Sequence, residues 1–152
     1  MLAGVQASSR RRSRTSALQI LFQMDLAGQM RAGWAARAAA GDAVSRYFSV
    51  FAVPRDDDRG DVDLLVGGVA SCLTALDGRL GEASRRWTLA RMAAVDRNVL
   101  RLLLHEMDLG RVPREVGINE AVELARTFGS GDSAAFVNGI LDQAAAPLTT
   151  AS

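Results

Sequence analysis

The chain has 152 residues, a net charge of +1, one cysteine and one histidine. That length supports one compact domain or two small helical halves sharing a core. Cys72 cannot form an internal disulfide, and one Cys with one His is too few soft ligands for a structural zinc site. No run approaches the roughly 18 apolar residues of a bilayer-crossing helix, so a cytoplasmic protein with no membrane association, no metal and no cofactor is expected.

Charge distribution says more than the total. All eighteen basic residues are arginine, each a planar fork suited to phosphate or to stacking on a base. Four of them fall in "RRRSR", Arg10 to Arg14, with no acid among residues 1–14, whereas "DDDRGD" holds four carboxylates. Residues 1–9 read as a disordered lead-in. From Arg12 to about Gly28, Ala17, Ile20, Leu21, Met24 and Ala27 keep helical spacing, while Arg12, Thr15, Ser16, Gln19 and Gln23 project from the opposite face. Composition leaves the arginines open as a tail, an address label or a working surface. The helical phase favours arginines continuous with a packed helix.

Residues 29–42 are ambiguous, because alanine favours helix and Gly33 and Gly41 interrupt it. A short helix over Ala43 to Ala52 is expected, stopped by Pro54. "RDDDRGD" then sets acids at a solvated helix N-terminus, and Val62, Leu65, Val66, Val69, Leu73, Leu76 and Leu80 continue as one stripe. Gly67 and Gly68 inside it suggest a close helix contact. The segment "MAAVDRNVLRLLLHEMDL" carries a stripe of Met92, Val95, Val99, Leu102 and Leu103, with Asp96, Arg97 and Arg101 as its wet side. After Pro113, Ile118, Ala121, Val122, Ala125 and Phe128 form a further helix that ends at Gly129. Asp132 or Ser133 caps a last helix with Val137, Ile140, Leu141 and Ala144 inside. No segment alternates as a strand does, so the fold reads as all-α, with about six to seven helices.

Little here resembles catalysis. His105, the only imidazole, follows a leucine run and reads as structural, and "VGGVAS" lacks the spacing and lysine of a phosphate loop. "DDDRGD" lacks the spaced ligands of a calcium loop. Phe136 lies at the edge of the last core stripe, where an aromatic side chain either finishes the core or stacks on an RNA base.

The segment "INEAVELARTFGSGDSAAFVNGILDQAA", Ile118 to Ala145, resembles the C-terminal signature of the NusB transcription antitermination family. "RRRSRTSALQILFQ", "DLLVGGV" and "VDRNVLRLLLHEM" resemble its earlier segments in the same order. The resemblance implies a bundle of two helical halves, about 10–83 and 88–147, with a flexible tail over 148–152. It also implies a non-catalytic adaptor that binds boxA RNA of ribosomal RNA operons together with the ribosomal protein NusE. Other antitermination factors and RNA polymerase would be engaged indirectly. By position, Arg10, Arg11, Arg12, Arg14, Gln19, Phe128, Asp132 and Phe136 match the RNA-binding residues, and Phe22 and Asp96 match positions that contact NusE.

Relatives usually carry polar or basic residues between "DS" and the phenylalanine, and here they are Ala134 and Ala135. That departure keeps an alternative in view, a protein-interaction or homodimerisation module with weakened RNA binding. The family's domain also occurs attached to ribosomal RNA cytosine methyltransferases, but no methyl-donor-binding domain is expected after residue 145.

Overall fold

The computed structural model describes residues 2–31, 33–51 and 56–145, which form seven α-helices, one short 3-10 turn and no strand. The helices are α1 (Leu2–Leu26), α2 (Trp34–Val50), α3 (Asp56–Ser71), α4 (Leu73–Ala83), α5 (Ala94–Asp108), α6 (Arg114–Phe128) and α7 (Ser133–Ala144). The 3-10 turn, Leu89–Arg91, lies between α4 and α5. The all-α expectation holds. No single described helix is long and apolar enough to cross a membrane. The chain divides into two compact units, Met1–Ala75 and Leu76–Ser152.

In the first unit α3 packs against both α1 and α2. Ala17, Leu18, Ile20, Leu21 and Met24 meet Ala36, Ala40, Val44 and Phe48 of α2 and Val62, Leu65, Val66 and Val69 of α3, all buried. The α1 helix already begins at Leu2, where a disordered lead-in was expected; no proline interrupts residues 2–10, and a formed helix extends at one hydrogen bond per residue. Its other end is a Gly28 turn with positive φ, 74°, reached by glycine at little cost.

The helix expected over Ala43 to Ala52 instead starts at Trp34, nine residues earlier, and ends at Val50. Ala36, Ala40, Val44 and Phe48 fall every four residues, so the alanine-rich segment supplies one apolar face and Gly41 sits on the exposed side. Pro54, expected as a stop, lies outside the described residues, as does the tail over 148–152.

The single helix expected through Val62 to Leu80 is two helices, broken at Cys72, about one turn beyond the glycine pair. Gly67 makes no close helix contact, since a Cβ there would meet nothing within 4 Å. It borders a groove of about 380 Å³ between α2 and α3.

In the second unit α5 packs against α6 and α7, which also pack on each other. Val99, Leu100, Leu102, Leu103 and Leu104 of α5 are wholly buried, together with Ala121 and Ala125 of α6 and Val137 and Leu141 of α7. The expected wet side of α5 is a buried polar seam instead. Arg101 is 5% exposed and grips Asp77 of α4 with two bonds, Nε to Oδ1 at 2.7 Å and Nη2 to Oδ2 at 2.9 Å. Its third donor reaches Oδ1 of Asn98 at 3.1 Å. The partner that makes this burial tolerable is 24 residues away, where helical phase within α5 cannot see it.

Candidate nucleic-acid interface

The arginines of the basic segment of α1 differ in how far they are exposed. Arg10 and Arg11 are exposed. Arg12 directs Nε to Oδ2 of Asp58 at 3.1 Å, and Ser9 donates its hydroxyl to Oδ1 of the same carboxylate at 2.6 Å. The Asp58 side chain is only 6% exposed, so this acid of α3 is a buried clasp on α1, not the solvated N-terminal charge expected. The Arg12 side chain keeps 47% of its surface exposed.

Arg14 departs from the expected RNA-facing role, because the whole residue is 4% exposed. The reason is phase: at 100° per residue Arg14 lies 60° from Ala17, and Arg14, Ala17, Leu21 and Met24 repeat at 3, 4 and 3 residues along the buried side. That stripe was present in the sequence and marks Arg14 as interior.

Gln19 lies farther along α1 and accepts a 2.6 Å hydrogen bond from the Tyr47 hydroxyl through Oε1, which ties α1 to α2. Tyr47 in turn packs on Phe51 with ring centroids 4.6 Å apart and meets Phe48 edge-on at 5.3 Å. Neither Tyr47 nor Phe51 was singled out in the sequence, since nothing local shows that α2 lies beside Gln19.

In the second unit, Phe128, Asp132 and Phe136 come together at the α6–α7 corner. Phe128, the last residue of α6, is 36% exposed, Asp132 is exposed, and Phe136 is half-buried. Asp132 and Phe136 are one helical turn apart and share a face, joined by the backbone bond from Phe136 N–H to the Asp132 carbonyl at 3.1 Å.

The expected cap is made otherwise. The Asp132 carboxylate caps nothing, and Ser133 Oγ accepts the Ser130 N–H at 2.9 Å inside the turn. The carboxylate therefore stands outward. Gly129 makes the turn tight: a Cβ there would lie 2.7 Å from the Ala125 carbonyl oxygen and 2.6 Å from Ser133 Cβ. Ala134 is half-buried and Ala135 exposed, so this edge of the corner carries no positive charge.

The two positions matched to protein contact differ in character. Phe22 is half-buried on α1. Asp96, in the first turn of α5, is 8% exposed, and its Oδ1 has no hydrogen-bond partner. A buried carboxylate oxygen left bare costs free energy until a donor reaches it. His105 is 5% exposed inside α5, and burial lowers its pKa from the usual 6.5 against the opposing pull of Asp108 and Glu106.

The sequence matches the NusB family over residues 11–146. It is similar to the transcription antitermination protein NusB of Anaeromyxobacter sp. (strain Fw109-5), with 42% identity over 139 residues covering 91% of each chain. The protein of the same name from Bdellovibrio bacteriovorus is 37% identical over 142 residues, 91% of this chain and 96% of that one. Among solved structures, T. maritima NusB superposes with a TM-score of 0.75 and 30% identity, covering 90% of this chain and 89% of that one. A chain in the crystal structure of a plectonemic RNA supercoil has a TM-score of 0.78 at 21% identity, covers 95% of this chain and 99% of its own, and shares the fold.

Proposed function

Because the chain belongs to the NusB family, we propose that it is a non-catalytic RNA-binding adaptor in transcription antitermination, engaging boxA RNA of ribosomal RNA operons together with NusE. The observation that carries this reading is the α6–α7 corner. A flat apolar ring at Phe136 and an outward carboxylate at Asp132 share one face, beside the exposed edge of Phe128. An aromatic ring stacks on an unpaired base, and a carboxylate accepts hydrogen bonds from a base amine, so this pair suits single-stranded RNA.

The α1 segment supplies the phosphate contacts in this account. Arg10 and Arg11 are exposed, Arg12 is half-exposed beside Asp58, and Arg14 holds the helix from within. Three contacts at about 0.7 each give a log–log salt slope of roughly 2, against roughly 3 for four arginines. Gln19 keeps its amide N–H groups for RNA while its oxygen accepts from Tyr47. Phe22 and Asp96 are assigned to NusE by their match to the family's partner-contact positions. Other antitermination factors and RNA polymerase are reached indirectly.

A second reading, a protein-interaction or homodimerisation module with weakened RNA binding, draws on Ala134, Ala135 and the buried Arg14, all of which reduce the charge offered to phosphate. Binding of boxA RNA by the wild type and by Arg10→Ala/Arg11→Ala, each with NusE, separates the two. The adaptor loses RNA affinity in the variant while retaining NusE. An unchanged RNA affinity, or wild-type RNA binding too weak to detect alongside intact NusE binding or self-association in sedimentation, favours the interaction module.

A further inference from the structure

The segment joining α4 to α5 carries Arg85, Arg86, Trp87 and Arg91, with no acid between Glu82 and Asp96. All four residues are exposed, and Trp87 keeps 51% of its surface open. Among the described residues no carboxylate pairs with the side chains of Arg85, Arg86 or Arg91. Three like charges within seven residues repel one another until an anion lies between them, and an open indole face leaves a large apolar surface in water.

The segment is braced from behind. Ser84 donates its hydroxyl to the Trp87 carbonyl at 2.8 Å, and Arg97 on α5 donates to the carbonyls of Met92 at 2.9 Å and Leu89 at 3.3 Å. The Leu89–Arg91 turn closes with the Arg91 N–H on the Thr88 carbonyl at 2.9 Å, and Met92 is buried beneath it. A presented surface held in place loses little conformational entropy on binding.

We propose that Arg85, Arg86, Trp87 and Arg91 form a second contact for single-stranded RNA, in which the indole stacks on a base and the arginines hold the flanking phosphates. This inference rests on the RNA-binding function proposed above and extends it to nucleotides beyond those at Phe136. The chemistry selects the occupant. An acidic peptide would satisfy the arginines but brings no flat ring to cover the indole, and a duplex hides its base faces.

The test uses Trp87 as its own reporter. The chain has two tryptophans, and Trp34 is 82% exposed, so Trp34→Phe leaves Trp87 as the only indole without loss of packing. This protein is titrated with an end-labelled boxA RNA carrying flanking nucleotides, and separately with polyglutamate. The expected result is saturable quenching of Trp87 by the RNA and none by polyglutamate. Trp87→Ala is expected to weaken binding between about 5-fold and about 150-fold. Arg85→Ala/Arg86→Ala is expected to lower the salt slope by about 1.4, and it keeps the test alive if Trp87→Ala fails to melt as a folded protein.

RNA that binds through Phe136 while Trp87 stays unquenched overturns this inference alone. RNA that does not bind by its label overturns the adaptor reading with it. Equal quenching by polyglutamate makes the surface a site for acidic protein and also overturns the inference.

Discussion

Arg12 and Arg14 are two residues apart, and 200° of helical rotation gives them different tasks. Arg12 reaches outward to Asp58, and Arg14 turns inward beside Ala17. Removing the clasp with Asp58→Ala breaks the hydrogen bonds that Arg12 and Ser9 make to a buried carboxylate and is expected to destabilise the fold by about 1–3 kcal/mol, read as a lower Tm. Phe136→Ala affects binding more than folding, because the half-buried ring leaves Val137, Ile140 and Leu141 in place beneath it. Its boxA affinity should fall by about 1–3 kcal/mol in a titration, the scale of one base stacked on an aromatic side chain.

His105 sets a pH dependence with a definite sign. Burial favours the neutral ring and lowers the folded pKa below the 6.5 of the unfolded chain, so between the two values the unfolded chain binds more protons. The stabilisation is complete above pH 6.5 and is lost as pH falls from there towards the lowered folded pKa. Thermal melts from pH 7.5 downward should show this decline, and His105→Gln should flatten it. The burial of His105 was legible from its leucine run, and that of Arg14 from the spacing 14, 17, 21, 24. The burial of Arg101 was not, because Asp77 lies on another helix.

At the scale of elements, the corner between α6 and α7 depends on a missing side chain. Gly129 lets Ser133 approach the end of α6, and a methyl group there would strike both the Ala125 carbonyl and Ser133. Gly129→Ala is expected to cost about 1–3 kcal/mol of stability and to weaken RNA binding by re-aiming Asp132 and Phe136. Gly131→Ala, in the same turn but with nothing within 4 Å, is the control and should leave both unchanged.

The helices were readable where one face carried large apolar residues, as in α1, α5, α6 and α7. The start of α2 was not, because its face is built from Ala36 and Ala40, which bury well but carry too little hydrophobic contrast to announce a helix beside Gly33 and Gly41. The break between α3 and α4 was also hidden, since Leu73, Leu76 and Leu80 continue the apolar spacing of α3 across Cys72. Periodicity reports which side of a helix is buried and is blind to a bend that keeps that side inside.

At the scale of the molecule, the proposal assigns phosphate contacts to the arginines of α1 in the first compact unit and, separately, base contacts to the α6–α7 corner in the second. The all-α class could be read from the chain, because helical spacing survives in one sequence. The sorting of the arginines could not be read in full, because Asp58 becomes a partner of Arg12 only when α3 packs on α1. The central claim, an adaptor that reads boxA RNA with NusE, is tested most directly by titrating boxA RNA and a scrambled RNA of equal length in the presence and absence of NusE across a salt series. The account predicts tighter binding of boxA than of the scramble, a preference that grows with NusE, and a log–log salt slope contribution of roughly 2 from α1. Equal affinity for the two RNAs with NusE present would contradict it.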